Sequence, residues 1–141
     1  MTTVKICGIT ETVHALAAAE AGADFIGLVF APSKRQVTAE KAREIVLAVK
    51  GRKKRKILTV GVFVNAPAAE VNRIAKYCGL DRVQLSGDEP WDYVRDIERP
   101  VIKAIRVRSQ QGSEDILAEL ARGSQMLGPD FVCLLDCDVA G

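Results

Sequence analysis

A parallel α/β architecture is expected from three features of the 141-residue sequence. Short β-branched runs alternate with helical patterns five times and close on a sixth run. Turn or capping residues punctuate the alternation, among them Gly22, Thr38, Pro67, Gly79 and Ser113. Residues 25–30 are apolar throughout, as in a strand buried on both faces. Alternation of this kind implies a parallel sheet with right-handed crossovers.

The elements follow in order. Residues 4–9 read as the first strand. Thr10 offers an N-cap with Glu11 in an acidic first turn, and Val13, Leu16 and Ala17 form an apolar stripe ending at Gly22. The second strand, 25–30, runs into a polar loop, 31–36. Thr38 caps a helix whose Ala42, Ile45, Val46 and Val49 recur at spacings of three and four. Residues 57–64 form the third strand. Pro67 then opens a helix with Val71, Ile74, Ala75 and Cys78 buried before Gly79. Residues 82–86 make a short fourth strand, and 87–90 open a helix carrying Trp91, Val94 and Ile97. Residues 101–107 are the fifth strand. Ser113 caps a helix with Ile116, Leu117 and Leu120 inward, and 131–137 are the sixth strand.

Composition narrows the function. Twenty Lys and Arg against eighteen Asp and Glu give a net charge of +2, too balanced for a dedicated nucleic-acid or membrane-surface binder. No run approaches the ~20 apolar residues of a membrane span, and the first eight residues lack a signal-peptide core. The cysteines Cys7, Cys78, Cys133 and Cys137 lack paired CxxC spacing, so reduced thiols in a cytoplasmic protein without a metal are expected. Nicotinamide and P-loop fingerprints are absent, and no cofactor is expected. The basic run 50–56 joins a helix end to a strand start, where cations suit the helix dipole better than a ligand site.

In parallel α/β folds the working groups lie at the C-terminal ends of strands. Lys5 and Cys7 share one strand face. The second loop offers Ser33, Lys34 and Arg35, and the third strand offers Asn65. The fourth supplies Gln84, Ser86 and then Asp88, the fifth Lys103 and Arg106, and the sixth Asp136 and Asp138. A thiol and a carboxylate at separate strand ends can act as base and acid. Each residue has a plainer role available: Cys7 as a small core residue at a turn, Asp136 as a helix cap, Arg35 as a solvated charge. Lys5 within a strand needs a partner if buried. These residues alone leave an open doubly wound sheet and a (β/α) barrel equally available.

Lys5-Ile6-Cys7-Gly8-Ile9-Thr10, followed by Gly22-Ala23-Asp24-Phe25-Ile26-Gly27-Leu28-Val29-Phe30, resembles the opening of the phosphoribosylanthranilate isomerases. Ser33-Lys34-Arg35, Val60-Gly61-Val62-Phe63-Val64-Asn65, Val83-Gln84-Leu85-Ser86-Gly87-Asp88-Glu89 and Leu134-Leu135-Asp136 match the same family in order. The resemblance implies a TIM (β/α)8 barrel, here one domain over 1–141 that is incomplete, with strands one to six of eight. It implies an Amadori rearrangement of N-(5-phosphoribosyl)anthranilate to 1-(carboxyphenylamino)-1-deoxyribulose 5-phosphate in tryptophan biosynthesis, without metal or cofactor. Asp136 would be the general acid and Cys7 the general base. Arg35 would pair with the anthranilate carboxylate, and Gln84 and Ser86 would contact substrate. Lys5 is expected to stabilise the Cys7 thiolate.

Two departures stand out. Ser86 occupies a position that is usually histidine. The family's Gly-Gly-Thr/Ser-Gly loop, last two strands and phosphate loops would begin where this chain reaches Gly141. Unpaired first and sixth strands would then invite a homodimer through the barrel edges. The alternatives are a half-barrel that serves only as an assembly module, or another phosphosugar-handling barrel enzyme.

Overall fold

A computed structural model describes residues 1–52, 55–128 and 131–137. Its six strands are β1 (Lys5–Cys7), β2 (Phe25–Val29), β3 (Leu58–Phe63), β4 (Arg82–Leu85), β5 (Val101–Val107) and β6 (Val132–Cys137). They form one sheet in the order β1-β2-β3-β4-β5-β6, and every neighbouring pair is parallel. A doubly wound sheet reverses its order at a switch point. This one does not, and the result is a half-barrel with its helices against one face.

The two faces follow from the strand period of two. Ile26, Leu28, Phe63, Val83 and Leu85 belong to a single core cluster with the helices. Their helical partners are Ala15 and Ala18 of α1 (Thr12–Glu20), Ala42, Ile45, Val46 and Val49 of α2 (Ala39–Lys50), and Val71, Ile74 and Ala75 of α3 (Ala68–Cys78). The opposite, inner face carries Val60, Val62, Gln84, Ile102 and Ala104, all buried. β1 and β6 are the two edges of the sheet, and Ile6 and Leu135 on them are exposed.

Several local expectations are corrected. Thr10 does not cap α1: Glu11 holds that position, without a side-chain bond. The Gly8 and Ile9 N–H groups both donate to Gly27 O at 3.0 Å, which keeps the chain in the loop until Thr12. The buried stripe of α1 is Ala15 and Ala18, whereas Val13 is 66% exposed. Small alanines let this helix lie close to the sheet, and that rotates Val13 outward. Thr38 caps α2 as expected, its Oγ1 accepting from Lys41 N.

After β4 the chain forms only a 3-10 turn, Trp91–Asp96. Glu89 is drawn inward ahead of it, and Tyr93 OH donates to Ala66 O at 2.6 Å. α4 (Ser113–Leu127) begins at an N-cap Gly112, so Ser113 is its first residue and not its cap. Leu117 is exposed, and the tight contact of α4 is made instead by buried Gly123 against Phe131 and Trp91.

The basic run is tied down locally. Lys50 donates to Gly79 O and pairs with Asp81, Arg52 pairs with Glu20, and Arg55 pairs with Asp24 and donates to Gly22 O. These cations bind carbonyls and carboxylates at the ends of helices, as the macrodipole favours. Lys53 and Lys54 lie outside the described residues.

Candidate functional site

The C-terminal end of β1 places a thiol against a glycine. Cys7 pairs in register with Gly27, and a Cβ at Gly27 would lie 2.7 Å from Cys7 Sγ. The absent side chain is therefore what gives the thiol its room. Gly8 follows with φ +80, a backbone that L side chains rarely adopt. The Arg35 side chain lies across it, with Cδ 2.5 Å from where a Gly8 Cβ would stand. Two glycines thus bring Cys7 and Arg35 to one place.

The loop that carries Arg35 is fixed by its own polar groups. Ser33 Oγ accepts from Arg35 N at 2.9 Å, and Gln36 Nε2 donates to Phe30 O at 3.2 Å. Val37 N donates to Val29 O, closing the excursion back onto β2. Beneath it Phe30 stacks on Phe63, with centroids 5.0 Å apart.

A second group occupies the ends of β4, β5 and β6. Gln84 is buried, and its Nε2 donates to Ser86 Oγ at 3.0 Å. Gln84 Oε1 is buried without a partner among the described residues. Ser86 O accepts from Arg106 Nη2 at 3.2 Å. Arg106 is in register with Asp136, so the two share the inner face on adjacent strands. Val62, Ile102 and Ala104 form the apolar floor between the two groups.

Of the residues singled out from sequence, the fold joins Cys7 with Arg35 and Gln84 with Ser86, and sets Asp136 beside Arg106. Cys7 and Asp136 stand on the two edge strands of the sheet. Lys5 shares the Cys7 face but is only half-buried, with no hydrogen bond or ion pair among the described residues. Asp138 lies outside the described residues.

Sequence reasoning missed a buried pair. Lys103 Nζ lies 3.4 Å from Glu89 Oε2, their side chains 8% and 2% exposed. Lys103 faces the helix side, in register with Leu85 and Cys133. Burial pushes the Cys133 thiol up against the pull of the Lys103 charge. A lysine inside the apolar run Val101-Ile102-Lys103-Ala104-Ile105 was the available signal, since a buried ammonium needs a partner. Nothing in the sequence marked Glu89 as that partner. Beside the pair a cleft of about 640 Å³ opens between the loops after β4 and β5, lined by Trp91, Arg106, Arg108 and Glu119 among others.

Comparison with known proteins places this arrangement. A family described as N-(5'-phosphoribosyl)anthranilate (PRA) isomerase matches residues 4–136. The chain belongs to this isomerase family. An N-(5'-phosphoribosyl)anthranilate isomerase of Dehalococcoides mccartyi is 52% identical over 136 residues, covering 96% of this chain and 62% of the relative. That of a Roseiflexus species is 46% identical over 123 residues, covering 84% and 58%.

The crystal structure of the Thermotoga maritima isomerase superposes with a TM-score of 0.82 at 37% identity, over 99% of this chain and 63% of that one. A solved isomerase described as a complex with reduced 1-(o-carboxyphenylamino)-1-deoxyribulose 5-phosphate superposes at 0.81, also at 37% identity, over 99% and 66%. The chain thus spans about three fifths of the length of these two curated relatives.

Proposed function

We propose that this chain carries the isomerase chemistry of its family, an Amadori rearrangement of N-(5-phosphoribosyl)anthranilate. The observation that carries the proposal is the Cys7–Gly27 and Gly8–Arg35 arrangement, which packs the Cys7 thiol on Gly27 and the Arg35 side chain on the adjoining Gly8 at the end of one strand. Arg35 takes the anthranilate carboxylate, for which a planar two-pronged donor is well matched. Asp136 protonates the furanose ring oxygen, the C1–O bond breaks, and an iminium forms. The iminium acidifies the adjacent C–H, and Cys7 as thiolate removes the C2 proton to give an enolamine. Transfer of the enol proton to C1 yields the ketone. Ser86 Oγ accepts from Gln84, so its own O–H is free to donate to substrate.

The same reading takes the six strands as strands one to six of an eight-stranded TIM barrel within one domain. A Thermotoga maritima relative is described as dimeric. The four free thiols fit a cytoplasmic location.

The test is turnover by this chain, with phosphoribosylanthranilate generated in situ and its fluorescence decay followed. Cys7→Ala and Asp136→Asn should each slow the decay by at least about 100-fold, the usual worth of a general base or acid. Equal rates in the parent and both variants would overturn the roles. A folded parent that leaves the substrate untouched would overturn the proposed activity of this chain.

A further inference from the structure

We propose that Glu89 is a positioning residue that fixes the Arg106 side of the site through a single peptide plane. This rests on the reading that Ser86 and Asp136 line the substrate site. The Glu89 carboxylate is buried, and both its oxygens are committed. Oε1 accepts from Asn65 N at 2.8 Å, and Oε2 accepts from Gly87 N at 3.0 Å and from Lys103 Nζ at 3.4 Å. Lys103 also donates to Gly87 O at 3.3 Å. One carboxylate therefore ties the chain just beyond β3 and β4 to a side chain of β5.

The Gly87 N–H belongs to the same planar peptide unit as the Ser86 carbonyl. In a trans peptide these two groups point in opposite directions. Glu89 holds the N–H from the helix side, and Arg106 Nη2 donates to the carbonyl from the other side. Rotation of this plane would move the anchor of the Arg106 guanidinium, whose residue is in register with Asp136 on the next strand.

Asn65 secures the same turn from β3. It adopts φ 51, its Oδ1 accepts from Asp88 N at 2.8 Å, and any side chain at Gly87 would collide with that oxygen. A buried ion pair often adds little stability over apolar packing of equal volume. Two backbone donors from two different loops on one carboxylate argue for a geometric role.

The test compares ¹⁵N spectra of the full chain and its Glu89→Gln variant, well below both melting temperatures. The amide keeps the shape but can accept at only one end. The expected result is moved signals at Ser86, Gly87 and Arg106 Nε, and amide exchange about tenfold or more faster at Gly87, the factor for losing a charge-assisted bond. Thr59→Val, which weakens a bond on the far end of β3, serves as a control that lowers stability without touching this turn.

If Glu89→Gln only lowers the melting temperature and leaves Ser86 and Arg106 as in Thr59→Val, the proposal is overturned. Should Glu89→Gln fail to fold, Lys103→Met removes the ammonium alone, and the same signals decide. The spectra do not depend on turnover. An inactive parent whose signals move on substitution defeats the isomerase reading and upholds the positioning role of Glu89.

Discussion

Replacing Gly27 with alanine tests the contact that makes room for the Cys7 thiol. The new methyl would stand 2.7 Å from Sγ, 3.2 Å from Cys7 Cα and 3.3 Å from Cys7 Cβ. Unstrained carbon contacts lie near ~3.5–4.0 Å, so several atoms are too close at once. Turning the thiol away relieves only the shortest of these contacts. The rest require β1 to move off β2, its one neighbour in the sheet among the described residues. Overpacking of this kind costs about 1–3 kcal/mol, which for a domain of this size lowers the melting temperature by about 3–10 °C.

Calorimetry reads the shift, and alkylation of Cys7 under native conditions should quicken as the three-residue strand loosens. The double variant Gly27→Ala with Cys7→Gly removes the clashing thiol and Cβ, and should recover part of the loss as a coupling energy. An alanine variant that melts with the parent, or a double variant whose two costs simply add, would refute this account of the contact.

Other outcomes follow from neighbouring features. Burial opposes ionisation of Asp81, but bonds from Thr59 N–H, Thr59 O–H and Lys50 outweigh it and hold the carboxyl below its ordinary value. Its contribution to stability is therefore full above about pH 4 and fades as pH falls below that. Thr59→Val should cost about 1–3 kcal/mol by urea titration at pH 7 and flatten this acid limb. Burial raises the Cys78 thiol to about 11. Maleimide at pH 8 should label Cys7 and Cys137, which are exposed, and spare Cys78 until the protein unfolds. Because the unfolded thiol ionises first, Cys78 also makes stability decline as pH rises from about 9 towards 11, a slope that Cys78→Ala should reduce.

Much of the architecture was legible because it rests on short-range chemistry. The strand–helix alternation, the Thr38 cap and the stop at Gly79 each act over a few residues. Period two also put Lys5 and Cys7 on one face of the first strand. The α1 stripe was misread because an alanine-rich helix offers no contrast, and the packing distance to the sheet chose Ala15 and Ala18 over Val13.

Within the site, the residue types of Cys7, Arg35 and Asp136 stood out. The reasons for their placement did not. Gly27 and Gly8 read as ordinary strand and turn glycines until the neighbouring strand and loop were laid against them. The Glu89–Lys103 pair joins residues 14 apart. Only the lysine carried a trace of that pairing.

The unbroken strand order also bears on how the molecule is made. Among the described residues, each strand from β2 onward pairs with the one synthesised just before it. Each β–α unit can therefore dock on the growing sheet as it leaves the ribosome, at the modest loop-closure cost of a short separation. Growth in this manner always leaves one fresh strand edge exposed, and it passes from each strand to the next. The newest strand is thus one sticking point of the nascent chain, and the outer edge of β1, which no later strand among the described residues pairs with, is another.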